Sequence, residues 1–171
     1  MTMAPVTFLR DDRRGSVAVE MALILPLMLI LMFGGLEGGY YLWSEHKMLK
    51  AVRDGARFAG RQPFDKFDCS SGTVNDSATE IEIGNVTRTG TIDGSGPVKI
   101  PGWTTNSPSI TISVLPCNST PSTGLYQELP NGGPIVTVSA TLNYQALFSN
   151  LGFATTGLGL RATSQAAVMG I

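Results

Sequence analysis

The chain has 171 residues, of which 15% are charged, and a net charge of −1 at pH 7. With 12 basic against 13 acidic residues and no basic stripe, it lacks the electrostatic footprint that nucleic-acid binding requires. An N-terminal apolar segment and its continuation take about 60 residues, and the roughly 110 that remain suffice for one small domain with a modest core.

The first feature in chain order is Arg13-Arg14-Gly15, followed by Ser16-Val17-Ala18-Val19-Glu20. From Met21 to Leu36 no residue is charged and none is more polar than glycine. A short basic head followed by apolar sequence is read by secretion machinery. Glu20 stands at the mouth of the run. A carboxylate drawn into lipid costs about 2.5–3.5 kcal/mol on insertion scales, so an acid placed there is a functional candidate.

Val17 to Gly39 spans 23 residues, and a bilayer needs about 20 mostly apolar ones. Tyr40, Tyr41 and Trp43 follow where an aromatic belt belongs. Pro26 removes one backbone hydrogen bond, which transmembrane helices tolerate. Gly34-Gly35 and Gly38-Gly39 offer small surfaces to a neighbouring helix. Three cations precede the run (Arg10, Arg13, Arg14) and three follow it (Lys47, Lys50, Arg53), so their count does not set topology. Arg13 and Arg14 abut the run directly, and the remainder is polar and contains cysteine. Both features favour the N-terminus inside and the bulk outside.

Beyond the run, Leu42, Leu49, Val52, Ala56 and Ala59 recur at helical spacing, while Lys47, Lys50, Arg53, Asp54 and Arg57 lie mostly off that stripe. Gln62-Pro63 ends the element, because the residue before proline is pushed out of helical geometry. The pattern predicts one long helix over about 17–61, with the span at 17–39 and an amphipathic extension at 40–61. The apolar stripe of the extension needs a cover.

Residues 62–171 read as α+β. Ser77-Ala78-Thr79-Glu80 fits a capping box opening a helix at 77–88, with Ile83 and Val86 on one face; Glu80 to Ile83 also alternates like a strand. Gly90 to Pro101 is a glycine- and proline-rich loop. Ile110, Ile112 and Val114 alternate with Thr111 and Ser113 as a strand, and residues 116–134 form a turn-rich excursion. Val136, Val138, Ala140, Leu142 and Tyr144 alternate cleanly as a second strand, and Leu158 to Val168 as a weaker third. Three strands with one apolar face need a second layer, and the helix stripe supplies it. The expected fold is a long N-terminal transmembrane and amphipathic helix packed on a small antiparallel sheet.

Catalysis finds little support. His46 is the single histidine, and its neighbour Glu45 points elsewhere on a helix. Glu80 and Glu82 form a close carboxylate pair, separated by a helix and placed on the solvent face by a strand. There is no phosphate loop or nucleophile elbow, and neither a metal site, a cofactor nor a small-molecule substrate is evident. Cys69 and Cys117 allow one intrachain disulfide in an exported chain. The alternatives are two unpaired thiols or an intermolecular link.

The basic pair and Gly15, Glu20 five positions on, Leu25-Pro26-Leu27, Phe33-Gly34-Gly35-Leu36-Glu37 and Ala51-Val52-Arg53-Asp54-Gly55-Ala56-Arg57-Phe58-Ala59 together resemble the prepilin class, and within it the TadE-like pseudopilins of tight-adherence (Flp) pilus systems. The match is close over 10–60 and looser through Pro101-Gly102-Trp103 and the strand ending at Tyr144. Met21 stands where such prepilins usually carry Phe or Tyr. The resemblance implies a leader of residues 1–15 removed between Gly15 and Ser16, leaving 9 basic against 11 acidic groups. The new Ser16 amine would lie one helical turn from Glu20, or meet the Glu20 of a neighbouring copy. It also implies a prepilin peptidase, an inner-membrane assembly platform with its motor ATPase, and related pseudopilins as partners. The expected location is the inner membrane, single-pass, with residues 62–171 in the periplasm. The alternative is an uncleaved, permanently anchored protein whose outward domain holds a periplasmic partner.

Overall fold

The computed structural model describes residues 14–104, 109–117, 123–127, 129, 132–149 and 157–170. The leader residues 1–13 and, within the 116–134 excursion, residues 118–122, 128, 130 and 131 lie outside the described residues. By compactness the chain divides into two units, 1–39 and 40–171.

Helix α1 runs Arg14–Ala59 and stays continuous through Pro26. In the first unit its side chains from Val17 to Met32 are exposed on every face. A helix apolar all round is one whose surroundings are themselves apolar. Among the described residues α1 is the helix long and apolar enough to cross a membrane.

In the second unit α1 turns one face inward: Ser44, Met48, Ala51, Val52, Gly55, Ala56 and Ala59 are buried. This corrects the stripe read from hydropathy. Leu42 is 57% exposed and Leu49 half-buried, whereas Met48 and Ala51 are fully buried. The helix ends two residues before the expected 61. Arg61 N–H donates to Phe58 O at 3.1 Å and Gln62 N–H to Ala59 O at 3.1 Å, a tightened last turn that leads into Pro63.

A single 3₁₀ turn, Phe64–Lys66, leads to a two-residue hairpin of β1, Phe67–Asp68, and β2, Thr73–Val74. Helix α2 follows at Ser77–Thr89. Its cap is Asp76 rather than Ser77, because Asp76 Oδ1 accepts from Ala78 N–H at 3.1 Å and Oδ2 from the Thr79 hydroxyl at 2.9 Å. Gly90, at φ 87°, closes the helix in the left-handed conformation that favours glycine.

Strands β3 (Ile110–Leu115), β4 (Ile135–Asn143) and β5 (Gly159–Ala167) form an antiparallel meander in that order. Ile110 pairs with Ala140, and Ala140 with Ala162. On β4, Val136, Val138, Ala140 and Leu142 are buried, as their alternation requires. Leu158 falls outside β5 and is 50% exposed. The buried faces of β3, β4 and β5 share one core with Met48 to Ala59, Ile83, Ile100 and Trp103. The Trp103 indole N–H donates to Ser109 Oγ at 2.8 Å, giving its one polar atom a partner inside that core. Met169 N–H donates to Gly60 O at 2.8 Å, tying the end of β5 to the end of α1.

Candidate functional site

Gly15 and Ser16 lie in the first turn of α1, where the leading backbone N–H groups have no intrahelical acceptor. A side chain added at Gly15 would meet no atom within 4 Å. Ser16 and Glu20 stand at i,i+4, which puts them on one helix face with Cβ atoms about 5–6 Å apart. Both are exposed. The ion pairs formed among the described residues are Lys66–Asp76 and Lys99–Asp54, and Glu20 belongs to neither.

Further along the same helix, Leu25 and Pro26 are exposed, while Phe33 and Gly34 are half-buried. Gly34 and Gly38 stand at i,i+4, as do Gly35 and Gly39, and none of the four has a neighbouring atom where a Cβ would sit. These pairs leave smooth concavities on an apolar rod, the surface on which helices in lipid approach closely.

In the second unit Cys69 and Cys117 form a disulfide with Cα atoms 5.3 Å apart. It joins the end of β1 to the segment after β3, where Val114 N–H also donates to Gly72 O at 2.9 Å. An aromatic cluster marks the start of this unit. Tyr40 stacks on Trp43 at 5.4 Å, and Tyr144 packs against Tyr40 at 6.0 Å and edge-on to Tyr41 at 5.1 Å. Tyr144 as the anchor of that cluster is missed by sequence reasoning. The signal for it was present: β4's alternation closes on an aromatic, and α1 presents two more at the foot of its amphipathic half.

The titratable groups show structural rather than catalytic perturbation. Asp76 is held at about 2 by its hydrogen bond from Lys66, then by the Thr79 hydroxyl and the Ala78 N–H. Asp68 is held at about 2 by the hydroxyls of Ser70 and Ser71 and the Ser70 N–H. Each is locked in its charged form, the opposite of what a general acid needs. His46 is exposed, and Glu80 and Glu82 are two residues apart on α2, too divergent to act as a pair. No group of three His, Cys, Asp or Glu able to hold a metal occurs among the described residues. The depression bordered by Gly102, Thr104, Ser109, Thr141, Asn143 and Gln145 has no titratable group in its lining.

Residues 15–57 match the model of a family described as TadE-like protein. The matched segment opens at the proposed cut and runs through Glu20, the span, the glycine pairs and the buried face of α1 as far as Arg57. No curated protein and no solved structure matches the chain.

Proposed function

We propose, for a chain that is TadE-like over residues 15–57, the work of a minor pilin or pseudopilin in the assembly of a tight-adherence pilus. Residues 17–39 hold it in the inner membrane, with the N-terminus in the cytoplasm and the second unit in the periplasm. A prepilin peptidase removes the leader between Gly15 and Ser16, and the matured chain meets related pseudopilins at the assembly platform.

Glu20 is the observation that carries this reading: an exposed carboxylate at the mouth of an apolar run, one turn from the proposed new amine. In lipid such a carboxylate is stabilised by a fixed cation, and cleavage creates one in Ser16. Within one chain the pair stands at i,i+4. Between chains the same two groups would set the axial register of neighbouring helices, since an unpaired charge at low dielectric strongly disfavours every other offset.

A second reading, the uncleaved anchored protein, draws on one feature. Gly15 and Ser16 are already within α1, whereas a peptidase needs extended backbone. The first turn of a helix frays readily, so the feature is compatible with cutting as well. Terminal sequencing of the protein extracted from its native membranes separates the two: Ser16 as first residue supports the pseudopilin, and a retained leader supports the anchor.

A further inference from the structure

The β3-β4-β5 sheet has two outer strands, β3 and β5. The β1–β2 hairpin engages the β3 side through Val114 N–H and Gly72 O. The β5 side differs. Tyr144 N–H donates to Leu158 O and Val168 N–H to Pro134 O, so even-numbered residues along β5 turn their backbone groups toward β4. Arg161, Thr163 and Gln165, between them in the alternation, turn theirs outward. Among the described residues nothing bonds to those outward groups, and all three residues are exposed. Beyond them the edge closes, where Met169 N–H donates to Gly60 O at the end of α1.

An open edge is normally blunted by shortness, proline, a bulge or charges. Strand β5 is nine residues long, pairs with β4 without an inserted residue, holds no proline and carries one charge, Arg161. We propose that this edge pairs with the β5 of a second copy, antiparallel about a two-fold axis at Thr163, so that two sheets join into one.

The register follows from the residues. An axis at Thr163 sets Arg161 opposite Gln165 of the second copy, where the guanidinium can donate to the amide oxygen. Each outward pair then exchanges both N–H···O bonds. An axis at Arg161 would oppose two like charges, which is destabilising across strands. An axis at Gln165 would set Arg161 opposite Met169, whose N–H is already taken by Gly60. The side chains fit the join as well. On the core face Ala162, Ser164 and Ala166 are small, so none props the strands apart. On the other face Thr111, Ser139 and Thr163 stand in one row across the three strands, and Ser139 Oγ lies 3.1 Å from Thr163 Oγ1. The two-fold continues that hydroxyl row into the second copy, with threonine against threonine. A foreign strand would have no reason to match this symmetry, and the pairing needs nothing from the leader or from residues 17–39.

The test uses the full chain in detergent. Across a hydrogen-bonded antiparallel pair Cα atoms lie about 5.5 Å apart, within reach of a disulfide. A cysteine at 163 therefore meets its own copy, whereas two at 165 stand about 14 Å apart, four residues along the strand. Under copper–phenanthroline, Thr163→Cys is expected to give a linked dimer and Gln165→Cys none, while Arg161→Cys mixed with Gln165→Cys gives the heterodimer. Thr163→Pro removes an N–H that β4 does not use. The thermal midpoint of the unit should hold, while the dimer, followed by light scattering on dilution, weakens about tenfold or more as its two central hydrogen bonds are lost. Should that midpoint fall, the cysteine pattern alone decides.

Equal linking at 163 and 165 is random collision and overturns the proposal. A dimer that survives Thr163→Pro and gives no link at 163 is held elsewhere on the chain, and overturns it too. So does a monomer at every concentration. If the amides of 161, 163 and 165 are then protected from hydrogen exchange in native membranes, the edge belongs to the strand of another protein.

Discussion

Gly55 of α1 lies so close to Thr87 of α2 that a Cβ on Gly55 would overlap the threonine hydroxyl. That hydroxyl donates to Ile83 O at 2.7 Å and is fully buried, so it has no other place to turn. The two helices meet here because one of them has no side chain.

Gly55→Ala therefore sets two effects against each other. Alanine in a helix interior gains about 1 kcal/mol over glycine, and overpacking a buried contact costs about 1–3 kcal/mol. The overlap falls on a hydrogen-bonded hydroxyl, so the cost prevails and the midpoint of thermal unfolding in detergent drops. Thr87→Ala in the same chain makes room and recovers part of the loss. Strict additivity of the two substitutions would show that the residues do not touch.

Replacing Gly15 by Phe is expected to leave the leader attached, because a peptidase must draw extended backbone close and a ring obstructs it. Intact mass of the membrane-extracted protein reads the outcome. Trimming of Gly15→Phe at the parent rate would move the cut elsewhere.

Glu20→Gln keeps size and hydrogen bonding while deleting the charge. The variant is expected to insert and to be trimmed normally, yet to lose co-purification with its pseudopilin partners and to abolish piliation. Losing one member of a buried pair costs about 3–5 kcal/mol, enough to remove an association of ordinary strength. Normal piliation at normal protein levels would assign Glu20 to the lipid interface instead.

The Cys69–Cys117 bridge spans 48 residues, for which the chain-entropy account gives about 4 kcal/mol. The double alanine variant is expected to unfold at markedly lower denaturant, with most of the loss reproduced by reductant on the parent. Equal stability of the two proteins would mean that the β1–β2 hairpin and β3 hold together without the bridge, through the Val114 N–H to Gly72 O bond and the core that Phe67 and Val114 share.

Lys66 and Asp76 give a pH dependence of defined sign. The folded Asp76 carboxylate sits at about 2, below its ordinary value. Its contribution is complete above the unfolded value of about 3.9 and lost as pH falls toward 2. The lysine is raised, chiefly by its hydrogen bond from Nζ to Asp76. Its share is complete below its unfolded value of about 10.5 and lost as pH rises through the higher folded one. Asp76→Asn should flatten both limbs of the stability profile, measured by denaturant titration across pH. An unchanged acid limb would place the titration in Asp68, also held at about 2.

Hydrophobic period carried the sheet: Val136 to Tyr144 alternate so regularly that β4 and its buried face are legible residue by residue. The same reasoning misjudged α1. Hydropathy singles out large apolar side chains, whereas a close helix crossing selects small ones, so Ala51 and Gly55 went unnoticed and Leu42 was placed inward. The α2 cap shifted by one because Asp76 and Ser77 are both good caps, and only the folded chain shows that Thr79 and Lys66 converge on Asp76. The β1–β2 hairpin has two residues per strand, too few for any period to register. At the N-terminus, the spacing of Ser16 and Glu20 was readable because a helix face is fixed by counting alone.

The buried face of α1 is complete by Ala59, but the strands that cover it begin at Ile110. A chain delivered N-terminus first at about 5–20 residues per second thus holds Met48, Val52 and Ala56 without their sheet for several seconds, with only earlier elements such as α2 to meet them. Small side chains on that face then have a second use. Alanine and glycine expose little area to a passing aggregation partner, so a surface shaped for tight final packing is also a quiet one during its wait.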